Sequence, residues 1–129
     1  MGRRAIRGRV RVFLSRLLES ELMDTMALLY ELISERKKSP VQGSYTSYLF
    51  GEGLDKILKK IGEESAEVII AAKGGESSAV IEELCDLYYH TLVLMCEKGI
   101  DISQVISVLE DRRQKQLNLK DMKSVDRNT

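Results

Sequence analysis

Proline occurs once in this chain, as Pro40, and tryptophan not at all. Little therefore removes the backbone donors that helices need. Alternating apolar and polar runs of useful length are also missing, so a sheet is not expected. Charge of either sign is not in excess, with 20 basic and 20 acidic residues, which excludes a global field that would gather nucleic acid or a membrane surface. The longest apolar stretch, Thr91 to Cys96, stands between His90 and Glu97. It falls far short of the roughly 20 residues of a membrane span. The two cysteines, Cys85 and Cys96, lie about 16 Å apart if they share a helix, beyond disulfide reach. Both read as reduced core residues of an intracellular, cytoplasmic protein.

What is present, 43% hydrophobic and 31% charged residues in 129, suits one helical domain with one modest core. The charge is uneven: residues 1–22 hold six arginines against Glu19 and Glu21, leaving the rest of the chain correspondingly acidic. The expected division is a basic extension over 1–22, an all-α domain over 23–116 and a polar tail over 117–129. The extension reads as an arm for RNA or an acidic surface, as a presequence, or as residues ahead of a true start at Met23.

Four helices are expected, from about Asp24 to Lys37, Leu54 to Lys73, Ala79 to Lys98, and from Ser103 onward. Phe13, Leu14, Leu17 and Leu18 extend the first or form a separate turn, so the bundle has about four to five helices. Ser39-Pro40 stops the first helix, Gly74-Gly75 the second and Gly99 the third, with Ser77 and Ser78 as caps. Residues 39–53, "SPVQGSYTSYLFGEG", read as a loop. Short glycine-marked connections favour antiparallel neighbours.

The second helix carries acids in an unexpected place. On a wheel of about 100° per residue, Glu64 falls about 20° from Ile57, inside the stripe of Ile57, Ile61, Val68 and Ala71. Glu67 lies at the edge of that stripe, about 80° from Ile57, and Glu63 on the polar side, about 120° away. The third helix is apolar around most of its circumference, as a central buried helix would be, yet keeps Glu83, Asp86, His90 and Glu97 on one side. Pairing with Lys59 and Lys60, four residues earlier, accounts for Glu63. It does not account for Glu64, or for Glu83 and Asp86 on a helix with no base between Lys73 and Lys98. The alternatives are a cation site and a set of solvated or lysine-paired acids. A cation held by carboxylates would be Mg²⁺ or Mn²⁺ rather than zinc. A di-iron site would need Glu-x-x-His on two helices, and the chain has one histidine. Such magnesium commonly meets phosphates, to which Ser44, Tyr45 and Thr46 could donate; the same stretch also reads as an ordinary turn with one packed tyrosine.

"EESAE" at 63–67, a 15-residue gap and "ELCD" at 83–86 resemble the signature of the MazG-like all-α nucleoside triphosphate pyrophosphatases. With "GSYT", "KKIGEE" and "DLYYH" around them, the stretch from Met26 to Arg113 resembles the phosphoribosyl-ATP pyrophosphatases of histidine biosynthesis. The resemblance implies the all-α pyrophosphatase fold, a homodimer, and Mg²⁺-dependent hydrolysis of phosphoribosyl-ATP to phosphoribosyl-AMP and pyrophosphate. It implies Glu64, Glu67, Glu83 and Asp86 as metal ligands, and Glu63 and Glu64 as catalytic. It also implies Ser44, Tyr45, Thr46 and Lys60 at the substrate, with His90 behind the acids. Glu52 departs from the family pattern, where a lysine or small residue is frequent. No membrane or nucleic-acid partner is expected, and the cyclohydrolase sometimes fused to such enzymes should be encoded separately.

Two rivals remain at this level: a housekeeping pyrophosphatase of another nucleoside triphosphate, and a non-catalytic helical module whose arginine arm binds nucleic acid. Deleting residues 1–22 separates the second from an enzyme. A binding module loses salt-sensitive retention of RNA or DNA, whereas an enzyme keeps nearly unchanged turnover.

Overall fold

Helix α1 covers residues 25–38 and ends where expected, with Ser39 N–H bonded to Glu35 O just before Pro40. The computed structural model describes Arg11 and residues 25–118; the rest of the basic extension, the residues 13–18 and most of the polar tail lie outside that range. Within residues 25–118 the regular structure is entirely helical, in five helices. After α1 come α2 (Tyr45–Glu52), α3 (Leu54–Gly74), α4 (Ser77–Glu97) and α5 (Ile102–Leu117). No helix among the described residues is long and apolar enough to cross a membrane.

The expected loop over 39–53 is therefore partly wrong, because its second half is helix α2. Ser44 caps it by accepting from Ser47 N–H at 3.2 Å, and Leu49 is fully buried. At eight residues it is too short to show a helical period of its own. A single residue, Gly53, joins it to α3 at φ 94° and ψ −174°, a region essentially open only to glycine. That sharp corner lays α2 against α3.

Helices α3 and α4 form an antiparallel hairpin about Gly75 and make the main packing of the fold. The core is Ile33 of α1, Leu49 of α2, Ile57 of α3 and Leu92, Val93 and Cys96 of α4. Each large apolar side chain so buried is worth about 2 kcal/mol. Met26 and Leu29 pack against this core from the same face of α1 as Ile33, as their spacing predicts.

Helix α1 also fastens the end of α4. Lys37 Nζ donates to the carbonyls of Cys96 and Glu97 at 3.1 and 3.3 Å, and Tyr30 OH donates to Ile100 O at 2.7 Å. The helix itself closes with Gly99 at φ 69°, whose N–H meets Cys96 O while Ile100 N–H reaches back to Met95 O. These are the paired bonds of a Schellman turn, and they satisfy carbonyls the helix leaves open.

Other expectations need correction. Ser77 and Ser78 are not caps, since α4 starts at Ser77 behind Glu76 without a side-chain cap. Helix α4 is not buried all round, because α1 and α3 cover only part of it. Ile81 and Tyr88 are exposed, and so is Cys85, which is thus no core residue; Cys96 is buried and both thiols are free. Helix α5 begins with a capping box of Asp101 and Gln104 and buries no residue.

The Gly53 corner leads to a stability prediction. Gly53→Ala meets no steric obstacle, so its cost is the backbone conformation alone, about 1–3 kcal/mol. Urea unfolding of the variant should show that loss; an unchanged midpoint would contradict the requirement for glycine.

Candidate metal and substrate site

In an antiparallel hairpin, residues equally far from the turn face one another. Glu67 and Glu83 are each eight residues from Gly75, and Glu64 and Asp86 are each eleven from it. The 15-residue gap between the two acidic motifs is therefore the length that returns the chain to the same level. Accordingly, Glu64, Glu83 and Asp86 each present a ligand atom, all within 4.8 Å of one another.

The environments of these acids differ. Glu64 is 6% exposed, as its place in the apolar stripe predicts. Glu83 is half-buried and Asp86 exposed. Glu67 does not point into the core. It is exposed at the edge of the hairpin beside Glu83, outside the close group of three. Glu63 lies on the open side, 3.8 Å from Lys59 and 3.2 Å from Lys60. Its carboxyl is held below the usual range chiefly by the Lys60 hydrogen bond.

Lys60 bridges the two parts of the motif. Its ammonium is 3.3 Å from Glu64 Oε1 as well as 3.2 Å from Glu63 Oε2, and these bonds raise its pKa. It does not satisfy Glu64 completely. Among the described residues, Glu64 Oε2 and Glu83 Oε2 are buried without a hydrogen-bond partner. A buried carboxylate oxygen with no donor is costly, and a cation among the three acids would offset that cost. The all-oxygen donor set fits a hard divalent ion. The charge excess is also visible in Glu83, which is pushed up to about 7, first by the hydrogen bond with Glu67, then by desolvation and the neighbouring charges of Glu67, Glu64 and Asp86.

Behind the acids, His90 is 4% exposed. Its Nδ1 is 2.7 Å from the Asp86 carbonyl, which can only accept, so Nδ1 carries the proton and Nε2 accepts from Tyr45 OH at 3.0 Å. Thr46 Oγ1 bonds to Tyr89 OH. Thus Tyr45 and Thr46 of α2 are tied to the helix that bears Glu83 and Asp86, while Ser44 is occupied as the α2 cap. Sequence reasoning took Tyr89 as merely apolar and did not single out Tyr48. The spacing of three between Tyr45 and Tyr48 would have put both on one face had the segment been recognised as helix.

A helical bundle that gathers carboxylates across an antiparallel pair, with a lysine beside them, is of the class of the MazG-like all-α nucleoside triphosphate pyrophosphatases. The model of the phosphoribosyl-ATP pyrophosphohydrolase family matches residues 26–113, and the chain belongs to that family. It is 55% identical over 92 residues to a phosphoribosyl-ATP pyrophosphatase of Clostridium botulinum, covering 71% of this chain and 84% of that protein. With the protein of the same name from Lacticaseibacillus casei it shares 47% identity over 108 residues, 84% of this chain and 98% of the relative. The Lactiplantibacillus plantarum protein of that name is 52% identical over 99 residues, 77% and 93% of the two chains.

The elevated pKa of Glu83 implies a pH-dependent stability. An acid with a higher pKa folded than unfolded binds more protons in the native state, so stability falls as pH rises from 4.5 to about 7. Without divalent cation, the thermal midpoint should fall across that interval. Magnesium should raise it, more at the upper end, because the ion displaces the proton. A metal-free midpoint that rises across the interval would contradict this account.

Proposed function

We propose that this chain hydrolyses phosphoribosyl-ATP to phosphoribosyl-AMP and pyrophosphate, the second step of histidine biosynthesis, with magnesium held by Glu64, Glu67, Glu83 and Asp86. The observation that carries the reading is the pair of buried, unpartnered carboxylate oxygens on Glu64 and Glu83. Family membership specifies the reaction.

The ion, when bound, supplies neutralisation of polyphosphate charge and acidifies a water. The chain's residues do the positioning. Glu64 and Asp86, on opposite helices at one level, would hold the ion together with Glu83. Glu67, alongside Glu83, closes the outer edge. Lys60 brings an ammonium to the phosphates while remaining tethered to Glu63. Because that tether keeps Glu63 ionised, its part is to accept a hydrogen bond and orient the attacking water, while Glu64, the second catalytic acid, would be among the residues holding the ion. Tyr45 and Thr46 face the substrate from α2, and Ser44 fixes the start of that helix.

The exposed apolar residues of α3 and α4, Leu58, Ile69, Ile70, Ile81 and Tyr88, together with those of α5, support a homodimer. The cytoplasm is the proposed location, and nucleic acid has no part in the activity.

Glu64→Gln and Asp86→Asn each test the site. Either should lower pyrophosphate release from phosphoribosyl-ATP by more than about a hundredfold, beyond the range seen for residues that merely support ligands. The helical circular dichroism should persist, since the neutral amide in place of the Glu64 carboxylate relieves a buried charge. Retained turnover would remove these residues from the reaction. Absence of turnover by the parent, with release from ATP or deoxynucleoside triphosphates instead, would redirect the assignment to another substrate.

A further inference from the structure

Three tyrosine rings form a row beside the acids. Tyr45 is central, with its centroid 6.1 Å from that of Tyr48 and 6.3 Å from that of Tyr89, at interplanar angles of 27° and 26°. His90 meets Tyr45 and Tyr89 edge-on, at 5.8 and 5.1 Å. The inner end of the row is fixed by the Tyr45–His90 and Thr46–Tyr89 hydrogen bonds. At the outer end, Tyr45 and Tyr48 remain 46% and 47% exposed.

The row is also continuous with the proposed reaction centre. The charges of Lys60 and Glu64 act on the Tyr45 hydroxyl. The histidine that anchors this hydroxyl holds the backbone carbonyl of Asp86. A nucleotide whose phosphates lie by Lys60 and the carboxylates can therefore lay its base against α2. A row of rings fixed at its inner end loses little freedom when a flat group stacks on its exposed end.

We propose that Tyr45 and Tyr48 form a stacking platform for the purine of the substrate, an assignment that rests on the pyrophosphatase reading above. Tyr48 is the specificity-determining member, because its ring is exposed and has no anchoring role. The substrate base suits this surface: a purine offers a flat π-face to an exposed phenol ring.

The test uses the full chain with magnesium and two probes, α,β-methylene-ATP, which carries base and phosphates, and inorganic triphosphate, which has no base. Calorimetric titration of Tyr48→Leu should show binding of the nucleotide weakened about tenfold and that of triphosphate changed by less than about twofold, as loss of one stacking face requires. Tyr48→Phe should restore nucleotide binding. Because the chain contains no tryptophan, tyrosine emission of the parent should respond to the nucleotide far more than to triphosphate. Parental nucleotide binding by Tyr48→Leu, or equal weakening of both probes, would overturn the platform. A changed association state with unaltered nucleotide binding would also do so, because it would make the ring part of a contact between copies. If the parent distinguishes the two probes through Tyr48 but does not turn over phosphoribosyl-ATP, the activity reading fails and the platform stands.

Discussion

The burial of the Glu64 carboxylate against α4 is the constraint around which the molecule is arranged. A charged group at 6% exposure needs compensation, and Lys60 compensates only one of its oxygens. The other oxygen has no hydrogen-bond partner, and ligand atoms of Glu64, Glu83 and Asp86 gather within 4.8 Å, so the hairpin concentrates negative charge at one level. Carboxylates crowded in this way disfavour the metal-free ionised state. Their geometry persists because the apolar packing on the Gly99 side of the hairpin, Ile57 against Leu92, Val93 and Cys96, holds the two helices together.

The remaining elements support that level of the hairpin from different sides. Helix α1 does so at a distance, by tying down the C-terminus of α4 through Lys37 and Tyr30. Helix α2 does so directly: Leu49 anchors it in the core, while Tyr45 and Thr46 bond to His90 and Tyr89. The Gly53 corner is what lets a short helix reach both places. Its backbone conformation therefore links the core to the proposed substrate surface.

Much of this organisation was legible from residue spacing. Ile57, on the apolar stripe of its helix, proved to be core. Glu64 stood out because it broke an apolar stripe, and it is the acid found buried. The same wheel misjudged Cys85 and Tyr88, because an apolar face shows what can be buried rather than what a neighbour covers. It also gave Glu67 too inward a direction: at the edge of the stripe, its exposure depends on the reach of the opposing helix. The segment around Tyr45 was misread for another reason. Two turns of helix offer too few residues for a period, and the stability of α2 comes from Leu49 packing and the Ser44 cap.

By itself, the sequence determined the long helices of the bundle, their glycine stops, the acidic motifs and, through those motifs, the resemblance to a family. These are properties of local spacing, since helical period and turn formation depend on residues a few positions apart. Tertiary structure alone decided which carboxylate oxygens lack partners, that Lys60 spans Glu63 and Glu64, and that Tyr45, Tyr48 and Tyr89 stand in one row. Those depend on distances between segments far apart in the chain, which form only when α2 and α4 are packed around α3.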